Sequence, residues 1–186
     1  MNHLGTQYIE TDRLILRPFV KEDAESMYRN WASDPEVTKF LTWPTHENEG
    51  ISRMVLRDWI CHYDEKDFYQ WAIVPKKLGK PIGSIAVVNM KQEIESAEVG
   101  YCLGKAWWHK GIMTEALSAV LCFLLHQVAL NRVEARHDVR NPHSGAVMRK
   151  CGMQYEGTHR QADRNNQGIC DSCVYAILAN DGRVGA

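Results

Sequence analysis

The sequence predicts a mixed α/β fold, in which a sheet carries helices on its faces. Short segments with alternating apolar and polar residues take turns with longer segments whose apolar residues recur every three or four positions. The chain has 186 residues, of which 45% are hydrophobic and 24% charged, which suits one ordinary domain and its core. We therefore expect a single domain over residues 1–186, in the order β-α-α-β-β-β-α-β-α-β-β.

Local patterns predict the first half of this order. Residues 11–19 alternate apolar and charged side chains and end near Pro18, which is typical of a strand. Residues 21–32 carry apolar side chains at spacings of three and four, as do residues 47–63, so two amphipathic helices are expected. Turn and polar residues then separate three expected strands, over residues 67–74, 79–88 and 96–104.

The second half begins with a stretch that is apolar on nearly all sides, from Thr114 to Leu130, which indicates a helix buried against the sheet. Residues 131–141 alternate, with Val133, Ala135 and His137 on one face, and so predict a strand. A short helix and two closing strands complete the order, over residues 142–151, 153–161 and 169–178.

Charge and hydropathy argue against several partners. With 22 basic and 23 acidic residues, the chain lacks the field that holds nucleic acid or an anionic membrane. The first residues lack the apolar run of a secretory signal. The longest apolar stretch, residues 116–130, contains polar residues and is shorter than the ~20 residues that span a bilayer. We expect a cytoplasmic protein without membrane or nucleic-acid partners. The sequence leaves open whether the protein forms a homodimer.

Cysteine and histidine spacings predict neither disulfides nor a metal. The six cysteines lie inside apolar patterns, which in a chain without a signal suggests reduced thiols. Cys170 and Cys173 form a lone CxxC, but in a predicted strand they point to opposite faces. The histidines, among them His126 in the apolar helix, fall at no metal-ligand spacing, so no metal is expected.

A predicted helix start near Gly111 is the most informative local feature. The first amides of a helix lack partners within it, and together with the positive end of the helix dipole they favour an anion such as a phosphate. Lys110 adds a positive charge, and Gly111 allows a backbone to approach a ligand closely.

Two segments around this site resemble the GCN5-related N-acetyltransferase (GNAT) superfamily. Residues 103–117 read LGKAWWHKGIMTEAL and are similar to its pyrophosphate loop and following helix, although Trp108 and Met113 depart from that loop's pattern. Residues 141–153, NPHSGAVMRKCGM, are similar to a second motif of the family. Residues 11–19 and 97–101 are typical of the branch of ribosomal-protein N-terminal acetyltransferases, and the resemblance covers residues 9–178.

The resemblance implies a central twisted, mostly antiparallel sheet of about seven strands, with helices on both faces and one splayed parallel strand pair. The strands over 96–103 and 132–139 would splay and admit the pantetheine arm of acetyl-CoA, the expected cosubstrate. The Leu103 amide would bind the acetyl carbonyl as an oxyanion site. The residues that would contact acetyl-CoA are Leu103, Trp108, His109, Lys110, Gly111, Ile112, Met113, Thr114, Asn141 and Ser144.

Candidates for proton transfer follow from the same resemblance. Glu98, on the strand beside the splay, is the best candidate for a base acting through water, although a structural ion pair with an arginine is the alternative. Many family members use a Tyr as acid seven residues after the Asn, but Met148 stands there. Ser144 is then the candidate proton donor, or else only a hydrogen-bonding partner of CoA. Tyr175 is a further candidate donor, or else a core residue.

Aromatic and charged residues are candidates for an acceptor pocket. Aromatic residues of this kind are more often found in the core, which is the alternative for each of them. The aromatic candidates are Trp43, His46, Tyr69, Trp71, Trp107 and Trp108. Asp163, Arg164 and Asp171 in the last strands are expected either to contact a charged acceptor or to form a solvated hairpin face.

The expected function is acetyl transfer from acetyl-CoA directly onto a primary amine in a ternary complex. An α-amine with a pKa near ~7.8 is largely neutral near neutral pH, whereas a lysine near ~10.4 needs a strong base. The N-terminal α-amine of a ribosomal or other protein, a polyamine, an aminoglycoside and another small amine all stay open as acceptors. A catalytically silent CoA-binding domain is the alternative from a different class, and a dinucleotide-binding oxidoreductase is disfavoured because no GxGxxG follows a first strand.

Overall fold

The computed structural model describes residues 1–181 as an eight-stranded sheet with helices on both faces, in the strand order β1-β2-β3-β4-β5-β6-β8-β7. Neighbouring strands are antiparallel except β5 and β6, which are parallel. The strands are β1 (Ile9–Glu10), β2 (Leu14–Arg17), β3 (Gln70–Pro75), β4 (Gly83–Lys91), β5 (Ser96–Leu103), β6 (Arg132–Asp138), β7 (Gln154–Asn165) and β8 (Gly168–Leu178). The predicted fold class is confirmed, with one strand more than expected because the two-residue β1 pairs with β2.

The helices lie close to their predicted positions. They are α1 (Ala24–Met27), α2 (Pro35–Thr38), α3 (Glu49–His62), α4 (Ile112–Cys122) and α5 (Pro142–Lys150). α1 lies between a 3₁₀ turn over Lys21–Asp23 and a π turn over Tyr28–Ala32, and together these span the predicted helix over residues 21–32. The short α2 was not predicted, since four residues are too few to show a period.

The sheet separates two hydrophobic clusters, which is why β3 is apolar from Trp71 to Val74. Trp71 and Ile73 pack with α4, whereas Ala72 and Val74 point to the other face and pack with α1 and α3. Successive side chains of a strand point to opposite faces, so a strand covered on both faces must be apolar throughout. α4 is apolar around most of its circumference because it lies over the centre of the sheet.

Within residues 1–181, no helix is both long enough and apolar enough to span a membrane.

Candidate active site

The parallel strands β5 and β6 separate before they end. They are paired over four residues, the last pair being Val99 and Ala135. Beyond that point β5 remains paired with β4 as far as Leu103, while β6 remains paired with β8 as far as Asp138. A cleft of about 420 Å³ lies between the diverging strands and reaches the first residues of α4 and α5. The separation predicted for this strand pair is therefore present.

The freed edge of β5 turns backbone groups into the cleft. The Gly104 amide donates to the carbonyl of Ile82 on the β4 side, at 2.8 Å. The backbone amides of successive residues in a strand point to opposite sides. The amide of Leu103 therefore points away from β4, toward the side from which β6 has diverged. The Leu103 carbonyl on that side accepts from the indole Nε1 of Trp108 at 2.7 Å. An extended polar chain could add to this edge as a strand adds to a sheet.

The start of α4 presents unpaired amides to the cleft. Gly111 caps the helix with φ of 72°, in the left-handed region that a side chain rarely tolerates. The first helical amide with a partner is that of Glu115, which donates to the Gly111 carbonyl at 3.1 Å. In the described part of the chain, the amides of Ile112, Met113 and Thr114 find no acceptor, and all three residues line the cleft. This geometry suits a phosphate group.

Cationic side chains lie around this helix start. A Cβ placed on Gly111 would meet Arg13 Nη2 at 3.5 Å, and Arg13 Nη1 donates to the Lys110 carbonyl at 3.0 Å. The ammonium of Lys110 instead contacts the Ala106 carbonyl at 2.7 Å, on the exposed surface. His109 and His143 both line the cleft and meet edge to face, with ring centroids 5.1 Å apart.

Glu115 joins this helix to the turn between β1 and β2. Its Oε1 accepts from the Thr11 hydroxyl at 2.6 Å and from the Arg13 amide at 2.9 Å, and its Oε2 accepts from Arg13 Nε at 2.6 Å. Burial raises the pKa of Glu115, but the hydrogen bonds from Thr11 and Arg13 outweigh burial and hold the pKa below its ordinary value. Both segments resemble the family in sequence, but their contact joins residues 102 positions apart, which no local pattern predicts.

Ser144 and Asn141 lie where α5 meets the cleft, and both line it. The Asn141 amide donates to the Asp138 carbonyl at 2.8 Å, and the Asn141 carbonyl accepts from the Ser144 amide at 3.2 Å. The hydroxyl of Tyr101, a residue that sequence reasoning did not single out, lies 3.0 Å from Ser144 Oγ and 3.1 Å from the Ser144 carbonyl oxygen. Burial raises the pKa of Tyr101 above its ordinary value.

Neither Met148, which stands at the usual acid position, nor the candidate donor Tyr175 lines the cleft. Met148 is buried in the core between α5 and the sheet. Tyr175 is also buried there, and its hydroxyl accepts from Arg149 Nη1 at 2.8 Å. Of the candidate proton donors, the structure brings only Ser144 to the separated strands.

Glu98 lies in a network of charges on the sheet face opposite α4 and α5. Its Oε2 is 3.6 Å from Arg136 Nε, and Arg136 Nη2 donates to Glu134 at 3.0 Å. Burial raises the pKa of Glu98, while Arg136 opposes that shift and the charge of Glu134 adds to it. A carboxylate with a raised pKa is a stronger proton acceptor, which suits a general base. The distance from Glu98 to Arg136 Nε is longer than a hydrogen bond, so this contact leaves the carboxylate free to accept one.

Of the six aromatic candidates for the acceptor pocket, only Trp107 and Trp108 line the cleft. Tyr69 and Trp71 have 1% and 0% of their surfaces exposed and pack against Phe123 beneath α4, so they are core residues and do not line the cleft. Trp43 and His46 contact each other in the segment between α2 and α3. The cleft wall at this end is made by Val37, Phe40 and Leu41, with Trp107 and Trp108 at the β5 side.

The turn between β7 and β8 packs against the segment that follows α2. The Asn166 side-chain amide donates to the carbonyls of Thr38 and Trp43, both at 2.8 Å, and the Asn166 backbone amide donates to Leu41. Of the charged hairpin residues, Arg164 borders a second, polar hollow beside this contact, while Asp163 and Asp171 bond within the hairpin.

Within residues 1–181, no group of three metal-binding side chains comes together. Cys170 and Cys173 are free thiols with separate partners, Asn165 for the first and Thr158 for the second.

Comparisons with known proteins agree with this geometry. Residues 13–154 match the family model described as acetyltransferase (GNAT) domain. The "uncharacterized N-acetyltransferase YoaA" of Bacillus subtilis (strain 168) is 30% identical over 170 residues, which cover 91% of this chain and 96% of that protein. The ribosomal-protein-serine acetyltransferase of Escherichia coli (strain K12) is 30% identical over 140 residues, covering 74% and 76%. Among solved structures, RimL, a ribosomal L7/L12 alpha-N-protein acetyltransferase in complex with coenzyme A, matches with a TM-score of 0.82 at 20% identity, covering 92% of this chain and 98% of that one.

Proposed function

The chain belongs to the acetyltransferase (GNAT) family, and on that premise we propose that it transfers the acetyl group of acetyl-CoA to the N-terminal α-amine of a protein, with ribosomal proteins as the first candidates. The relative named as a ribosomal-protein-serine acetyltransferase supports this choice of acceptor. The continuous cleft from the Gly111 helix start to the free edge of β5 is the observation that carries the proposal. One end of the cleft has amides that suit a phosphate group, and the other end has a free strand edge that suits an extended polar chain. An elongated ligand with a phosphate group and a polar arm needs both.

The pyrophosphate, the pantetheine arm and the acetyl group of acetyl-CoA would each fit residues of this chain. The amides of Ile112, Met113 and Thr114 would hold the pyrophosphate, with Arg13 beside them. The β5 edge would hold the pantetheine arm, and the Leu103 amide would donate to the acetyl carbonyl, stabilising the negative charge that develops there.

Glu98 and Ser144 would handle the protons of the reaction. The C–N bond forms as the C–S bond breaks, so one proton must leave the nitrogen and one must reach the sulfur. Glu98 would take the amine proton through a water molecule and pass it to solvent. Ser144 would supply a proton to the departing sulfur and regain one from water, which completes the balance.

An α-amine is the acceptor that these groups serve best. At pH 7 an α-amine with a pKa near ~7.8 is held back by only about 1 kcal/mol of deprotonation free energy, against nearly ~5 kcal/mol for a lysine. A base that acts through water, partly neutralised by Arg136, is adequate for the first and weak for the second.

An acceptor screen tests the proposal. Purified protein is incubated with acetyl-CoA and ribosomal-protein N-terminal peptides, the same peptides with a blocked α-amine, polyamines and aminoglycosides. Thiol release and product mass are recorded. We expect acetylation of the free N-terminal peptides and none of the blocked ones. Turnover of small amines alone would make the chain a small-molecule acetyltransferase, and acetyl-CoA binding without turnover of any amine would make it a silent CoA-binding domain.

A further inference from the structure

The hydroxyl groups of Tyr101 and Ser144 contact each other at the cleft, and no local sequence pattern predicts this contact. Tyr101 lies on the part of β5 that has separated from β6, and Ser144 lies in the first turn of α5. Their oxygens are 3.0 Å apart, and both residues line the cleft. This pair lies where β5 and α5 approach each other across the separated strands.

The direction of this hydrogen bond decides what Ser144 can do. A phenol has one proton, and Ser144 offers it two acceptors, Oγ at 3.0 Å and the carbonyl oxygen at 3.1 Å. The Ser144 carbonyl lies inside α5, where the amide of Met148 is its regular helical partner. Ser144 Oγ has no other partner among residues 1–181, so it is the acceptor that most needs the Tyr101 proton.

When Tyr101 donates to Ser144 Oγ, the serine's own proton is left free to point into the cleft. In the reverse arrangement Ser144 would donate to Tyr101 and could not serve the leaving sulfur. Burial keeps Tyr101 protonated, since it raises the pKa of this phenol and thus favours the neutral form.

We propose that Tyr101 is a positioning residue for acetyl transfer, which orients the Ser144 hydroxyl toward the thiol of the departing coenzyme. Tyr101 keeps its own proton throughout, so the proton balance between amine, Ser144, sulfur and water is unchanged. The proposal rests on the acetyltransferase activity proposed above, and it explains how the site works with Met148 at a position where a tyrosine acid is usual in this family.

The test combines Tyr101→Phe, Ser144→Ala and the double variant, assayed for kcat, for the KM of acetyl-CoA and for melting temperature. We expect Tyr101→Phe to lower kcat roughly tenfold, in line with the loss of one hydrogen bond, and to leave the KM within about twofold. We expect Ser144→Ala to lower kcat by roughly 10²-fold. Because Tyr101 acts through Ser144, adding Tyr101→Phe to Ser144→Ala should cause no further loss.

Tyr63→Phe is the matched control. Its hydroxyl is also part-buried and also bonded twice, accepting from the Phe19 amide at 2.8 Å and donating to the Gln70 carbonyl at 2.9 Å, but away from the cleft. It should lower the melting temperature about as much as Tyr101→Phe does and leave kcat unchanged. An unchanged kcat in Tyr101→Phe, or losses that multiply in the double variant, would overturn the proposal. A wild-type protein without turnover of any amine would instead overturn the acetyltransferase function itself.

Discussion

Arg13 and Glu115 face each other at the start of α4, where the Arg13 backbone amide and Nε both donate to the Glu115 carboxylate, at 2.9 and 2.6 Å. Thr11 adds a third donor at 2.6 Å. The carboxylate therefore fixes the turn between β1 and β2 to the helix whose first amides would bind the phosphate group. Because Arg13 also donates to the Lys110 carbonyl, the same contacts set the position of the loop before Gly111.

We expect Glu115→Gln to lower the free energy of unfolding by about 1–2 kcal/mol, because a carboxamide cannot accept from all three donors. Glu25→Gln is the control, since Glu25 forms an exposed ion pair with Arg29 within one helix turn and should change stability by less than about 0.5 kcal/mol. Urea unfolding near pH 7 measures both. Equal stability of the two variants would show that the Glu115 contacts contribute nothing to the fold.

The same carboxylate predicts a pH dependence. The pKa of Glu115 is lower in the folded protein than in the unfolded chain, so its contribution is present above the ordinary glutamate pKa of ~4.3 and is lost as pH falls through the folded value. The stability difference between wild type and Glu115→Gln should therefore shrink between pH 6 and pH 3. A difference that stays constant over this range would contradict the lowered pKa.

Gly145 lies against His137 with no room for a side chain. A Cβ on Gly145 would lie 2.4 Å from His137 Nε2, so either the imidazole or α5 must move. We expect Gly145→Ala to destabilise the protein by about 1–3 kcal/mol, as overpacking does, despite the better helix propensity of alanine. Thermal or urea unfolding measures the loss, and His137→Ala in the same chain should restore part of it.

Gly50→Ala provides the comparison for Gly145, because Gly50 is also in a helix but its Cβ would meet only the side chain of Asn48. Here the substitution should be neutral or stabilising by up to about 1 kcal/mol. If the two alanine variants were equally stable, the contact between His137 and Gly145 would be loose enough to absorb a methyl group.

The sequence predicted those features that depend on neighbouring residues, and it did not predict contacts between residues that are distant along the chain. The start of α4 was placed correctly because a glycine followed by a long apolar run is a local pattern. The roles of Tyr69 and Trp71 could not be settled, since alternation shows that they share a face of β3 but not which helix covers that face. The contacts of Tyr101 with Ser144 and of Arg13 with Glu115 join residues 43 and 102 positions apart, so only the topology brings them together.

The helix start at Gly111 predicts how the protein responds to acetyl-CoA. A ligand that binds only the folded state raises its stability, by about 2.7 kcal/mol at a hundredfold excess over Kd. Acetyl-CoA should therefore raise the melting temperature in a saturable manner, whereas NAD should leave it unchanged. A melting temperature that does not respond to acetyl-CoA would show that the cleft does not bind it.

Gly111→Glu should abolish that response while the protein stays folded, because it places a side chain and a negative charge beside the phosphate position. Gly79→Glu is the matched control. Gly79 also has a positive φ and open space around it, but it lies in the turn between β3 and β4. Strain should lower the melting temperature of both variants, and only Gly79→Glu should keep the shift with acetyl-CoA. An undiminished shift in Gly111→Glu would place the phosphate group elsewhere.

Glu98→Gln should lower the rate by an amount that depends on pH. An α-amine with a pKa near ~7.8 is largely neutral at pH 8 and above, so a base contributes little there and the variant should keep most of its activity. Near pH 6 most of the amine carries a proton, and the carboxylate of Glu98 remains available to accept it until pH falls through its raised pKa. The ratio of variant to wild-type kcat/KM, measured between pH 6 and pH 9, should therefore fall toward pH 6. Glu156→Gln is the control, because Glu156 belongs to the same charge network through Arg132 but lies on the edge strand β7, away from the separated strands β5 and β6. Its ratio should stay level. A level ratio for Glu98→Gln as well would mean that Glu98 serves only as the ionic partner of Arg136, and that water alone removes the amine proton.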